Sequence, residues 1–169
     1  MSNETLMWLF MVFFMLHEFE EMIYLGTFLK TNSDKLKAKT PKQFHKLIDG
    51  MDKNGSNQFI FAVFEEFVLL CAIIIFCIIF NIYSFFAAVV IAYVLHVITH
   101  LVQAIYVRMY IPAVGSGLIS AIYCVLCVIS LNSQGILSWT HIAIFIPVVA
   151  LLIIGNLRFA HYVSKKLVK

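Results

Sequence analysis

The stretch Leu6–Leu29, LMWLFMVFFMLHEFEEMIYLGTFL, decides the fold. At about 1.5 Å per residue, a helix of this length covers a hydrocarbon core roughly 30 Å thick. Yet the stretch carries His17, Glu18, Glu20 and Glu21. A charged group at mid-bilayer costs roughly 2.5–3.5 kcal/mol on insertion scales, so acids inside a span point to a role. The segment therefore reads as a membrane helix bearing a buried polar site.

The rest of the chain has the same character. Of 169 residues, 62% are hydrophobic and only 12% charged, against about 25% charged in a soluble domain. The mean hydropathy of +0.95 agrees. The solvent is lipid, the address is the cell membrane, and residues 1–169 make a single transmembrane domain. Five spans are expected, at about 6–29, 59–80, 85–107, 117–131 and 141–161. The fourth is short and flanked by Pro112, Gly115 and Gly117. The expected fold class is an all-α polytopic bundle.

Orientation follows from the cations. The connection 30–57 holds seven lysines against Asp34, Asp49 and Asp52. The next connection has no charge, Arg108 follows the third span, the connection near 132–138 is uncharged, and the chain closes on Lys165, Lys166 and Lys169. Basic and uncharged segments alternate, which places the N-terminus outside and the basic loop and C-terminus in the cytoplasm. Within that loop, residues 36–48 suit an amphipathic helix after Pro41. Residues 49–57 imitate a calcium loop at Asp52, Asn54 and Gly55, but Gly50 and Phe61 fill the positions that need Asp and Glu, so a turn is expected. The first span lacks the basic start and cleavage site of a signal peptide, and no lipidation motif is present.

Three spans place polar groups at one depth. Glu21, Glu66 and His100 each lie eight or nine residues, about 12–14 Å, from the cytoplasmic end of their span. On the first helix, His17, Glu20 and Glu21 share an arc of about 100°. On the third, His96, Thr99, His100 and Gln103 form a polar stripe among Ile, Val, Leu and Ala. Glu65 and Glu66 are adjacent and point differently, so one serves as ligand while the other bonds elsewhere. Glu18 sits to the side as a supporting group.

Two pairs stand at i,i+4: His17 with Glu21, and His96 with His100. That spacing lets one metal ion bridge both members, as in H-E-x-x-H helices. The expected ligands are His17, Glu21, His96, His100 and Glu65, with Glu20 or Glu66 as proton acceptor. Such a set suits one divalent ion, zinc first, with iron or manganese as alternatives. A proton or ion relay and a structural hydrogen-bond network remain open beside it.

The string His17-Glu18-Phe19-Glu20-Glu21, in the first span of a small multi-pass protein, resembles the HxxEE family. The resemblance carries over His17, Glu20 and Glu21. It implies a multi-helix membrane architecture and no established reaction.

The function expected from the residues is a metal-dependent hydrolase embedded in the membrane and acting on a lipid-like substrate. The alternative is a proton-coupled or metal-ion transporter, which would need polar groups continuing to both faces; the outer halves of these spans are almost wholly apolar. Membrane lipids are the expected partners, a homodimer is compatible, and nothing points to nucleic acid. Arg158 is expected at the headgroups, with Glu20 or Glu66 as the alternative partner. Asn156 and His161 lie near it, Gly155 allows a close helix contact, and His141 suits an interfacial anchor beside Trp139. His45 has no evident partner. Cys71, Cys77, Cys124 and Cys127 read as packing residues, as do Met7, Met11 and Met15.

Overall fold

The computed structural model describes residues 1–167, apart from the side chains at 47, 50–57, 161, 165 and 167. His161, Asp52, Asn54 and Gly55 of the reading above thus lie outside the described side chains. The described chain is all-helical: α1 is Asn3–Lys39, a 3-10 turn covers Lys42–Phe44, and α2 is His45–Ile79. Three more helices follow, α3 at Tyr83–Val107, α4 at Val114–Ser133 and α5 at Trp139–Leu167.

Local chemistry sets these limits. Ser2 caps α1 by accepting a hydrogen bond from the Thr5 amide at 3.2 Å, satisfying one of the orphan donors of the first turn. At the other end, Thr40 is extended because Pro41 disfavours helical geometry in the residue before it. His45 Nε2 donates to the Lys37 and Thr40 carbonyls at 2.9 and 3.1 Å, so this histidine has partners after all. Arg108 ends α3 in the left-handed region at φ 52°, a common way to satisfy final carbonyls.

The expected loop 30–57 is helix over most of its length. α1 continues to Lys39, ten residues past the anticipated end of the span, and residues 49–57 lie in helix α2 rather than in a turn. The reason is that the lysines find partners along a helical hairpin. Lys37 Nζ meets Asp49 Oδ1 at 2.5 Å, and Lys39 Nζ donates to the Val107 carbonyl at 2.5 Å. A small second core of Leu29, Leu36, Ile48 and Val107 lies between α1, α2 and the end of α3. The fourth helix also exceeds its expected 117–131, starting at Val114 and ending at Ser133.

Four helical segments among the described residues are long and apolar enough to cross a membrane: Gln58–Ile79, Tyr83–Val107, Val114–Ser133 and Trp139–Ser164. α1 has the length but carries Glu4, Glu18, Glu20 and Glu21. It packs against α2 and α4, while α3 packs against α4 and α5, and α2 against α5. The order around the bundle is therefore α1–α4–α3–α5–α2, with lesser contacts of α3 to α1 and α2 across the middle.

The main core fills this ring. Phe10 meets Phe86 edge-on at 5.8 Å and Tyr93 at 5.4 Å. Cys77, Cys124 and Cys127 are free and buried among Met7, Met11, Ile74 and Val90, and Cys71 packs against the same core. The outward side of α1 shows Trp8, Val12, Leu16, Phe19 and Ile23. Those apolar side chains suit lipid, and two acids of the same helix, Glu18 and Glu21, are buried in the bundle.

Candidate metal centre

His17 is the best-placed residue of the motif. It is fully buried, and its Nδ1 lies 3.2 Å from the Ala113 carbonyl. A carbonyl only accepts, so Nδ1 carries the proton and Nε2 keeps its lone pair. That Nε2 is buried and has no hydrogen-bond partner. A second-sphere carbonyl that fixes the tautomer and leaves the other nitrogen free is the usual support of a metal-ligating histidine.

The two histidines of α3 come to the same point. The His17 ring centroid is 5.4 Å from that of His96 and 5.3 Å from that of His100. Nε2 of His100 lies 3.1 Å from Nε2 of His96. One ring nitrogen from each of the three lies within 4.8 Å of the others. Two nitrogens bound to one tetrahedral zinc stand about 3.3 Å apart. The His96–His100 pair already has that spacing, and bringing the His17 nitrogen about 1.5 Å nearer closes the set.

The carboxylates divide into two groups. Glu21 Oε1 lies 3.4 Å from His100 Nε2, so Glu21 adjoins the histidines through His100. Glu18 and Glu66 face Glu21 closely enough to interact with it electrostatically, and Glu65 interacts with Glu66. Of the adjacent pair on α2, Glu66 is the one whose charge reaches Glu18 and Glu21, and Glu65 is the one expected as a ligand. Glu65 Oε2 is nonetheless buried without a hydrogen-bond partner.

Glu20 goes elsewhere. Its Oε2 accepts the Ser116 amide at 2.9 Å, and its Oε1 accepts the Tyr110 hydroxyl. The same hydroxyl receives the Gly115 amide at 3.2 Å. Glu20 thus satisfies a free N–H at the start of α4, with its negative charge at the positive end of that helix. Both its oxygens are engaged by donors at this corner, while its charge still reaches His17 and Glu21; the expectation from sequence is Glu20 or Glu66 as proton acceptor. Tyr110 lies outside the spans, and the Glu20 carboxylate that it bonds holds its phenol above the ordinary tyrosine range.

Sequence reasoning missed the corner between α3 and α4. Ala113 adopts φ 74°, a costly conformation for a residue with a Cβ, and its carbonyl is the one that meets His17. A Cβ on Gly117 would lie 3.0 Å from His17 Nδ1, and one on Gly115 would lie 3.0 Å from the Tyr110 hydroxyl. The available signal was Gly115-Ser116-Gly117, which leaves room for an imidazole and a carboxylate against a helix start. On the polar stripe of α3, Thr99 donates to the His96 carbonyl at 2.6 Å, and Gln103 is exposed. Arg158 is exposed on α5, and the His141 ring lies tilted at 46° to that of Phe145, ring centroids 6.4 Å apart.

The family described as a protein of unknown function with HXXEE motif matches residues 8–128. No curated protein and no solved structure matches the chain. The matched residues hold His17, Glu20 and Glu21 as well as the α2, α3 and α4 side chains that meet them.

Proposed function

The chain belongs to the HXXEE-motif family, and from this site we propose that it is a multi-pass protein of the cell membrane holding a divalent metal ion. The ion, zinc first and iron or manganese next, sits on His17, His96 and His100, with Glu21 against His100. The observation that carries this reading is the unpartnered lone pair of His17 Nε2, on a ring whose tautomer is fixed by the Ala113 carbonyl and that lies beside two other imidazoles. A purely structural network would have satisfied that atom.

We read α1 as a fifth span, because Glu18 and Glu21 are buried in the bundle and the outer face between Trp8 and Ile23 is apolar. The Lys-rich hairpin then lies in the cytoplasm with the C-terminus, and the N-terminus outside. The reaction that fits is hydrolysis. A divalent ion supplies Lewis acidity and an activated water, and Glu66, beside Glu21, accepts the proton. A lipid-like substrate suits the position. An apolar groove between α2 and α5, lined by Leu69, Val148, Leu152 and Phe159, opens one helical turn from Glu65 and Glu66 and fits an acyl chain.

Elemental analysis of the full chain in mild detergent tests this. Near-stoichiometric zinc, iron or manganese is expected in the wild type and none on the histidines in a His96→Ala/His100→Ala double variant. Undiminished binding in the double variant, or no binding after loading with each ion, overturns it.

A further inference from the structure

Resting on the acyl-chain groove between α2 and α5, we propose that this groove and the end of α5 bind one anionic phospholipid. Its chain lies along Val148 and Leu152, an ester carbonyl meets Asn156, and the phosphate meets Arg158. The groove encloses about 420 Å³, within the range of small-molecule sites. Leu69 of α2 forms one wall and Val148, Leu152 and Phe159 of α5 the other. Gly155 keeps it open, since nothing lies within 4 Å of where its Cβ would stand. A glycine in a membrane helix commonly admits a neighbouring helix, yet no described residue fills this space.

Two polar side chains in this apolar stretch have no partner among the described residues. Asn156 lines the groove, half-buried, and makes no hydrogen bond there. An amide set among apolar side chains is costly until a donor or acceptor meets it, and the ester carbonyl of a lipid accepts from such an amide. Arg158 is exposed on the same helix, with no carboxylate in ion-pair reach. It follows the run Leu151–Leu157, in which Asn156 is the one polar side chain. A guanidinium at the edge of a lipid-facing helix reaches for the headgroup layer, and phosphate oxygens match its forked donors.

The order of these groups along α5 is that of a phospholipid. At about 1.5 Å per residue, Asn156 stands about 12 Å and Arg158 about 15 Å from Val148 toward the C-terminal end. Chain, ester and phosphate follow one another in the same sequence. Beyond Arg158, Tyr162 and Lys166 continue the row at successive i,i+4 places, with Lys166 Nζ 4.5 Å over the Tyr162 ring. A second cation past the phosphate favours a headgroup of net negative charge over a zwitterionic one.

The test uses the full chain in mild detergent, offered phosphatidylglycerol or phosphatidylcholine of the same acyl composition, with bound lipid counted by native mass spectrometry. One retained phosphatidylglycerol per chain is expected, with phosphatidylcholine held about tenfold more weakly. Gly155→Phe, whose ring occupies the open space, and Arg158→Gln should each weaken phosphatidylglycerol about tenfold, with gel filtration and helicity unchanged. Equal retention of the two lipids, or undiminished binding in Gly155→Phe, overturns the site. The His96→Ala/His100→Ala variant separates this site from the ion: it should keep the lipid, and loss of the lipid with the histidines overturns the placement on α5. A wild type that binds no ion but still selects phosphatidylglycerol removes the metal centre and leaves the lipid site standing. If a groove variant does not fold, a phosphatidylglycerol with a photoreactive chain decides the matter: it should label Leu69 or residues 148–159, and labelling confined to other helices overturns the site.

Discussion

Gly117→Ala separates the geometry of the His17 support from the stability of the bundle. The added Cβ would lie 3.0 Å from His17 Nδ1, 3.1 Å from Val97 Cγ1 and 3.3 Å from His17 Cε1. Ordinary contact begins at 3.4 Å, so the ring must retreat by about 0.4 Å. His17 is fully buried and tied to the Ala113 carbonyl, so the retreat is taken from the position of Nε2. Overpacking of this kind costs roughly 1–3 kcal/mol, and exchanging a helical glycine for alanine returns up to about 1 kcal/mol. The net loss of stability is then about 0–2 kcal/mol, while loss of second-sphere order lowers metal affinity about 10- to 100-fold. A competitive zinc titration on the purified variant, beside a thermal melt, reads the two effects separately. Gly26→Ala is the control, since nothing lies within 4 Å of its Cβ. Wild-type zinc affinity in Gly117→Ala would refute the assignment of His17 as a ligand held by the Ala113 carbonyl.

Two more predictions concern the Glu20 clamp. Glu20→Ala should cost about 0.5–2 kcal/mol, the range for a lost helix cap, seen as a melting temperature lower by a few degrees. It should leave the ion count unchanged, and loss of metal equal to that of the histidine variants would return Glu20 to the ligand set. Tyr110 gives the clamp a pH signature. Its pKa is raised in the folded chain by the bond it donates to Glu20, so the contact stabilises fully below the unfolded tyrosine value of about 10. That contribution is lost as pH rises through the folded value. Melting curves should therefore fall above about pH 10 in the wild type, with the Tyr110 share of the fall missing in Tyr110→Phe; identical alkaline profiles would refute it.

Much of this arrangement could be read in the chain. Continuous apolar runs located the helices, because the thickness of a bilayer sets the length of an apolar helix that can cross it. The convergence of His17, His96 and His100 was legible from i,i+4 spacing and shared depth, since helix geometry converts sequence number into height. Helix ends were less so. The hairpin of α1 and α2 is held by Lys37–Asp49 and by Leu36 on Ile48, and contacts between distant positions leave no periodic trace. Glu20 and Glu21 show the same limit. Both are acids of one motif within one arc of the helix, yet 100° of rotation sends one to the start of α4 and the other to His100. What separates them is the path of α4, set by Ala113 and Gly117, and only the folded chain holds that information.

The length of α1 has a mechanical consequence. From Glu21 to Lys39 the helix runs without a proline or a break in the ladder, about 27 Å at the helical rise. Its far end is clasped to α2 by Lys37 and to the end of α3 by Lys39. Such a rod has no hinge at which to dissipate a push, apart from the single glycine at position 26. A load applied to the basic hairpin, by a partner or by a charged surface, would arrive at His17 and Glu21 as rotation of the whole helix. The hairpin is thus a handle on the buried site.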